Sequence, residues 1–376
     1  MAALVPVALK RLSLTDFRNY THATLHFSSS MVAFCGPNGS GKTNLLEAIS
    51  FFSPGRGLRR CVLSDASRAN GAGGWAVNCQ MTGAFEETRI GTGLTLGETS
   101  RKLRIDGDEV RSSEVLLEYL RVLWLVPSMD GLFTGAASER RKFLDRLVLA
   151  LHPGHGRVVS NYERALRQRN RLLFEAGGGG YLDAIEAQVA ELGSALALAR
   201  RETVMLLSEK LHQQCQRAGQ PFPSALVSLS GEFEDETAGL NAIEVENAFK
   251  ESLREGRLKD RAAGRTLVGP HRSDLIVLHL EKELPAALAS TGEQKALLIS
   301  LVLAHAELTS AISGMTPTLL LDEVAAHLDP IRRIALFERL QALGGQVFMS
   351  GTDASLFVDL PSCSEIIQVE NARIIQ

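Results

Sequence analysis

Apolar and polar positions alternate at the start of the chain in the manner of β-strands. Apolar residues recur between Leu9 and Phe17 and again over 25–27, which is typical of strands with one buried face. Residues 31–35 are apolar without interruption and stop at Gly36, as expected for a strand buried on both faces of a sheet. We therefore predict that the chain opens with strands of an α/β protein.

The pattern becomes helical at Thr43 and ends at Pro54-Gly55. Beyond this helix, Gly-rich breaks separate short stretches of β propensity, which predict an antiparallel sheet beside the main one. These stretches are 75–81, 89–96 and 102–105. One more buried strand is predicted at 122–126, closed by Pro127.

The middle of the chain is helical in character. Arg-rich helices are predicted at 138–151 and 161–174, followed by a flexible Gly-rich break at 177–180. Residues 181–218 have apolar positions spaced by three and four, which is typical of a coiled-coil seam. These positions are Leu182, Ile185, Val189, Leu192, Leu196 and Ala199. The seam is long enough for a short helical arm and too short for a long rod.

Strands and helices alternate again towards the C-terminus, which favours a mostly parallel sheet. The predicted strands are 274–280, 318–321, 346–349 and 365–369, and the predicted helices are 292–308 and 330–343. We therefore predict an α/β lobe built from both ends of the chain, with a helical lobe inserted between them.

Composition narrows the class of protein only slightly. The chain has 376 residues, 45% of them hydrophobic, and a net charge of −3 that neither indicates nor excludes a nucleic-acid partner. The five cysteines lack CxxC spacing, so we expect reduced thiols and neither a zinc site nor disulfides. No signal peptide is evident, and no stretch reaches the roughly 18 uncharged apolar residues of a membrane span. We expect a cytoplasmic protein without a membrane partner.

Residues 36–43 read GPNGSGKT and fit the phosphate-binding pattern GxxxxGK[ST] completely. Glycines in such a loop let backbone N–H groups point at phosphate oxygens, and the following helix presents its positive N-terminal end. Lys42 is expected to contact the β and γ phosphates, and the Thr43 hydroxyl to bind Mg²⁺. An apolar strand before the loop and an amphipathic helix after it support the assignment.

The apolar strand predicted at 318–321 ends in Asp322 and Glu323. The carboxyl end of a buried parallel strand opens onto the ligand crevice of an α/β sheet. We expect Asp322 to hold Mg²⁺ through water, and Glu323 to orient or deprotonate the attacking water.

Two further segments resemble motifs of ABC ATPases. Residues 289–295 read ASTGEQK, in which Ser290 or Thr291 would cap a helix; in ABC ATPases the equivalent Ser binds the γ-phosphate held by a second subunit. Residues 325–329, AAHLD, resemble the D-loop that crosses the same interface. Ser290 lies 247 residues after Thr43, a longer interval than in transporter ATPases and similar to that of the SMC and DNA-repair branch.

Within that branch, the chain resembles the RecF family over nearly its whole length. The matching segments are LSLTDFRNY at 12–20, GPNGSGKTNLLE at 36–47, RRKFLD at 140–145, YERALRQRN at 162–170 and GPHRSDL at 269–275. The resemblance implies an ABC-type P-loop ATPase head, with a mixed sheet flanked by helices and an antiparallel β subdomain, and an inserted α-helical arm lobe. We assign the head to 1–128 and 266–376, and the arm lobe to 129–265.

The resemblance also implies the site residues and cofactors. Lys42, Asp322, Glu323 and, from the second subunit, Ser290 would act on ATP, and Thr43 and Asp322 would bind Mg²⁺. The ATP-binding residues would be Gly36, Pro37, Asn38, Gly39, Ser40, Gly41, Lys42, Thr43 and Asn44. We interpret His271 and Arg272 as bracing the sheet near the nucleotide, in preference to a catalytic role.

RecF-like proteins bind DNA at single-strand gaps or junctions of single and double strands, and act with RecR and RecO to help load RecA. The resemblance implies a homodimer that closes on ATP and reopens after slow, DNA-dependent hydrolysis. DNA contacts are expected to be electrostatic. The candidates are Arg56, Arg59, Arg60, Arg140, Arg141, Lys142, Arg164, Arg167 and Arg169.

Three alternatives are weighed against this interpretation. A transporter ATPase would carry a Q-loop Gln after 122–126, where the candidates in this chain are Ser128 and Asp130. It would also carry a switch His at 350–353, but that segment reads SGTD. The missing His also suggests slow hydrolysis. An SMC-like scaffold that tethers DNA with little turnover would need a longer rod. A nuclease-associated head would recruit its nuclease as a separate chain.

Overall fold

The computed structural model describes residues 6–175, 179–215 and 221–375. The chain divides into two compact units. Unit 1 contains the described residues within Met1–Asp130, Ala218–Pro223 and Ser290–Gln376, and unit 2 those within Gly131–Arg217 and Ser224–Ala289. We predicted from the sequence that residues 266–289 belong to the ATPase head. They lie in unit 2, because the strand that they contain pairs with another strand of that unit.

One sheet of unit 1 is antiparallel and has six strands in the order β2-β1-β4-β5-β6-β7. Its strands are β1 (Ala8–Phe17), β2 (Tyr20–His26), β4 (Trp75–Gly83), β5 (Glu86–Leu94), β6 (Lys102–Ile105) and β7 (Asp108–Val110). Alternate residues of β1 and β4 are buried. This burial agrees with the alternation of apolar and polar residues that predicts strands with one buried face. Phe17, Phe51 and Trp75 pack together with ring centroids 4.8–5.9 Å apart and join this sheet to the helix after the phosphate loop.

The second sheet of unit 1 has six strands in the order β15-β14-β3-β13-β12-β8 and is parallel except for the β14–β15 pair. Its strands are β3 (Met31–Cys35), β8 (Val122–Leu125), β12 (Thr318–Leu321), β13 (Val347–Gly351), β14 (Glu365–Glu370) and β15 (Arg373–Ile375). Every residue of β3, β8, β12 and β13 is buried, which accounts for their predominantly apolar sequences.

The helices of unit 1 are α1 (Lys42–Ser50), α2 (Leu116–Tyr119), α9 (Thr291–Ser313) and α10 (Pro330–Leu343). Among the residues that the structure describes, α9 alone has the length and mean hydropathy (1.6) of a membrane span, and 78% of that stretch is buried inside the protein. Burial on all sides explains why α9 is apolar around its circumference.

Unit 2 packs helices around a small sheet in the order β11-β10-β9. Its strands are β9 (Ala225–Ser230), β10 (Asp274–His279) and β11 (Leu284–Pro285), and its helices are α3 (Ala137–Leu151), α4 (His155–Glu175), α5 (Gly179–Cys215), α6 (Glu232–Glu236), α7 (Ala242–Glu255) and α8 (Arg257–Ala263). α5 packs against α3, α4, α7 and β9, so the predicted seam is the centre of this unit's core. Of the break predicted at 177–180, residues 177 and 178 lie outside the described residues, and α5 begins at Gly179.

Candidate nucleotide-binding site

The phosphate loop joins β3 to α1 through backbone that requires glycine at two positions. Gly36 and Gly41 have φ values of 151° and 118°, which L side chains rarely adopt. A Cβ at Gly36 would lie 2.0 Å from the Val369 carbonyl oxygen, and one at Gly41 would lie 2.6 Å from the Tyr20 hydroxyl. The loop is therefore held between the C-terminal hairpin and the start of β2.

Lys42 turns its ammonium group back onto the loop. Its Nζ donates to the carbonyl oxygens of Gly36 (2.7 Å) and Pro37 (2.9 Å), and the residue is buried. Burial lowers the pKa of Lys42, and the nearby carboxylates of Glu323 and Asp322 oppose that shift. The site thus has one buried cation beside two anionic groups, which is the charge arrangement that a metal-bound triphosphate requires.

Two strand ends bring the predicted metal ligands together. The Thr43 hydroxyl at the start of α1 donates to Asp322 Oδ1 (2.9 Å), and the Ser350 hydroxyl at the end of β13 donates to the same oxygen (2.6 Å). The Glu323 N–H donates to Ser350 Oγ (3.0 Å), and Glu323 has a positive φ of 54°. Ser350 was not predicted as a site residue. The only sequence feature that could have indicated Ser350 is its position as the single hydroxyl residue in an otherwise apolar strand.

Arg18 and Asn19, the two residues between β1 and β2, make polar contacts to the loop and to α1. Asn19 donates to the Ser40 carbonyl (3.3 Å) and accepts from Asn44 (2.7 Å). Arg18 makes two hydrogen bonds of 2.6 and 2.7 Å to Glu47, a fully buried carboxylate of α1. Asn19 and Glu47 were missed as functional residues, because their roles depend on contacts between distant parts of the chain.

Ser290 is the N-cap of α9 and lies exposed on unit 1. Its hydroxyl accepts from the Glu293 N–H (3.4 Å), and the Glu293 carboxylate accepts from the Ser290 N–H (3.1 Å), so the capping box predicted from the sequence is formed. One turn further, Lys295 pairs with Asp130 (3.4 Å), one of the two candidates for the missing Q-loop residue. Ser290 is thus exposed at the start of α9, whereas Lys295 is buried against Asp130.

Comparison with known proteins identifies the family. The family model described as RecF/RecN/SMC N terminal domain matches residues 8–375. A DNA replication and repair protein RecF of Allorhizobium ampelinum is 53% identical over 369 residues, covering 97% of this chain and 98% of the relative. The chain belongs to the RecF family. A RecF of Mesorhizobium japonicum is 51% identical and covers 97% of each chain.

Solved structures agree with the RecF fold. A structure described as the recombination mediator protein RecF-ATP in the RecFOR pathway has a TM-score of 0.83 and 22% identity, and covers 99% of both chains. An SMC head domain from Pyrococcus furiosus, with an extended coiled coil and a bound ScpA domain, has a TM-score of 0.55 and 15% identity, and covers 97% of this chain and 94% of that chain. The predicted fold class, an ABC-type ATPase head with an inserted helical lobe, is confirmed.

The arginines predicted to contact DNA in this RecF-family chain fall into two groups. The first group is exposed and consists of Arg56, Arg59, Arg60, Lys142, Arg164 and Arg167. Arg59 also bonds Asn44 (2.7 Å) and Glu47 (2.9 Å) within unit 1.

The second group, Arg140, Arg141 and Arg169, is half-buried or buried and bonds to other residues of unit 2. Arg140 makes two hydrogen bonds of 2.7 and 2.8 Å to the Asp274 carboxylate, and Arg141 donates to the Ser273 carbonyl (2.9 Å). Arg169 is fully buried and pairs with Glu186 and Asp260 inside unit 2. Because it is fully buried, Arg169 is inaccessible to a DNA partner in this fold, and its charge is matched within unit 2. Helical spacing in the sequence does not distinguish such an arginine from one on a solvated face.

The GPHR segment makes its side-chain contacts within unit 2. His271 bonds the Tyr162 hydroxyl through Nδ1 (2.8 Å) and the Thr266 carbonyl oxygen through Nε2 (3.1 Å). Arg272 is exposed. Burial lowers the pKa of His271 to about 4, and the nearby positive charges of Arg272 and Arg141 add to the shift.

Unit 2 should consequently lose stability in mild acid. The unfolded chain takes up a proton on His271 near its ordinary pKa of about 6.5, whereas the folded protein does so only near pH 4. We expect the free energy of unfolding to fall between pH 6.5 and 4, by up to about 3 kcal/mol. Urea titrations across this range should show a shallower fall for His271→Gln, and an equal fall in both proteins would refute the prediction.

Proposed function

We propose that this RecF-family chain is a DNA replication and repair ATPase that uses ATP as a dimerisation switch. The observation that carries the proposal is the convergence of Thr43, Asp322 and Ser350 beside the buried ammonium of Lys42. The RecF relatives are named DNA replication and repair proteins, and solved RecF structures are described with ATP.

The chain's own residues have distinct roles in this proposal. Lys42 neutralises phosphate charge, while Thr43 and Asp322 supply the hard oxygen ligands that Mg²⁺ prefers. Bound Mg²⁺ would supply charge stabilisation at the transferring phosphoryl group. Ser350 orients the Asp322 carboxylate and fixes the Glu323 backbone. Glu323 then positions the attacking water and accepts its proton.

A second copy completes the site. Ser290 and the N-terminus of the 23-residue helix α9 form an exposed, positively polarised end. In our proposal this end binds the γ-phosphate held by the partner's phosphate loop. ATP therefore favours the closed dimer, because only that state provides both sets of contacts. The absence of His from residues 350–353 supports slow hydrolysis.

The proposed partners follow from the family and its pathway. A solved relative is described as a recombination mediator in the RecFOR pathway, which supports RecR and RecO as partners and RecA loading as the outcome. We propose that the chain acts in the cytoplasm on gapped DNA or on junctions of single and double strands. An SMC-like tether is less well supported, because the 37-residue helix α5 packs inside unit 2.

Glu323→Gln tests the proposed hydrolytic step. The amide keeps the shape of the side chain but cannot accept the proton, so ATP turnover should fall roughly 100-fold or more, and the ATP-bound dimer should persist. Light scattering after gel filtration and phosphate release would measure both effects. The control is Glu338→Gln on the exposed part of α10. Unchanged turnover in Glu323→Gln would remove Glu323 from the mechanism.

A further inference from the structure

The antiparallel sheet of unit 1 has an outer face that forms a concave depression of about 730 Å³. Residues on this face alternate with buried ones along β1, β4, β5 and β6. At its centre, Ser13, Asn78 and Gly91 are direct cross-strand neighbours. Small side chains therefore form its floor.

Two glycines keep the floor of this depression low. Gly93 lies opposite Ala76, and Gly91 lies opposite Asn78. A Cβ at Gly93 would lie 2.5 Å from the Trp75 carbonyl oxygen, and one at Gly91 would lie 2.5 Å from Asn78 Oδ1. Neither position can hold a side chain without a shift in β4, so no side chain projects from the floor at either glycine.

Four exposed cations surround the floor, namely Arg11, Arg89, Lys102 and Arg104. Among the residues described by the structure, no carboxylate lines the depression, although the whole chain has a net charge of −3. This concentration of positive charge is therefore local.

Among the described residues, the carboxylates near the depression lie around its edge. Glu98 is 3.8 Å from Lys102, and both side chains are about half exposed, so this pair contributes little. Glu109 lies opposite Arg104 on the edge strand β7, Glu87 bonds Gln80, and Asp106 accepts from the Arg89 backbone N–H. That contact is made by the backbone of Arg89 and not by its guanidinium.

We propose that this face binds the sugar-phosphate backbone of DNA. The proposal rests on the DNA-repair function proposed above and names a binding surface for it, distinct from the arginines at 56–60. Positive side chains around a floor of small polar residues fit a regular polyanion. Asn78 can add a neutral hydrogen bond to phosphate, as amide side chains often do. Contacts of this kind position DNA without reading its sequence.

The test is a triple variant, Arg11→Ala/Lys102→Ala/Arg104→Ala. All three side chains are exposed, so the fold and ATP binding should be retained. Fluorescence anisotropy with a gapped duplex and ATP, repeated at several salt concentrations, gives the affinity and its salt dependence. We expect the slope of log affinity against log salt to become shallower by about three, and the affinity at about 0.1 M salt to fall roughly 100- to 1,000-fold.

The control removes three exposed cations of unit 2, as Lys250→Ala/Arg254→Ala/Lys259→Ala, and should leave affinity within about threefold of wild type. Wild-type affinity and slope in the sheet-face variant would overturn the inference while leaving DNA binding intact. Failure of the wild type itself to bind DNA would instead remove the proposed function. Polyglutamate serves as an acidic-peptide probe in the same assay. If the sheet-face variant lost polyglutamate binding but kept DNA binding, the face would be a peptide site, and the inference would be overturned.

Discussion

Lys42→Met is expected to lower ATP affinity at least about 100-fold. The ammonium group lies within the phosphate loop, where it donates to the carbonyls of Gly36 and Pro37. Hydrogen bonds to charged groups contribute about 1.5–3 kcal/mol each, so loss of two such contacts to phosphate accounts for that factor. Methionine has similar length and no donor. Calorimetric titration with ATP and Mg²⁺ would measure the change.

Two controls separate this effect from unfolding. Lys10→Met replaces an exposed lysine of the same unit and should bind ATP as the wild type does. Thermal unfolding without nucleotide should show that Lys42→Met remains folded. Wild-type ATP affinity in folded Lys42→Met would show that the loop binds nucleotide by another means, or not at all.

Arg169→Ala is expected to destabilise unit 2 by about 3–5 kcal/mol. Its guanidinium is fully buried and bonds Glu186 (3.1 Å), Asp260 (2.7 Å) and Thr266 (2.7 Å). Removing it leaves buried carboxylates without their cation, which costs far more than the loss of an exposed pair. Denaturant unfolding would measure the loss.

Arg167→Ala provides the matched control two residues away on α4. Its side chain is 70% exposed and lies 3.7 Å from Glu163, so the substitution should change stability by less than about 0.5 kcal/mol. Equal stability of the two variants would show that the buried network does not hold unit 2 together.

The regular elements of unit 1 were predictable because their burial is simple. β3, β12 and α10 have the predicted bounds, since strands buried on both faces must be apolar throughout and α10 begins at a proline and ends before a glycine. The phosphate loop and the acidic strand end were likewise visible as short local motifs.

Contacts between distant residues were predictable where known motifs named both partners, as for Thr43 and Asp322, and not elsewhere. The hydrogen bond from Ser350 to Asp322 forms because β13 pairs with β12. No local sequence pattern predicts which strands pair. The network around Arg169 joins residues up to 97 positions apart. The strand at 274–280 was recognised, but its sheet was not, because the partner β9 lies in the weakly patterned segment at 220–264.

The central claim is that one ATP is bound between the phosphate loop of one chain and Ser290 of a second chain. Sedimentation velocity with and without ATP and Mg²⁺ tests this claim most directly. We predict that the wild type changes from monomer to dimer on adding ATP. Ser290→Arg should bind ATP with unchanged affinity and stay monomeric, because the exposed cap of α9 is blocked. A wild type that binds ATP yet remains monomeric at every concentration, alone and on gapped duplex, would contradict the ATP-sandwiched dimer.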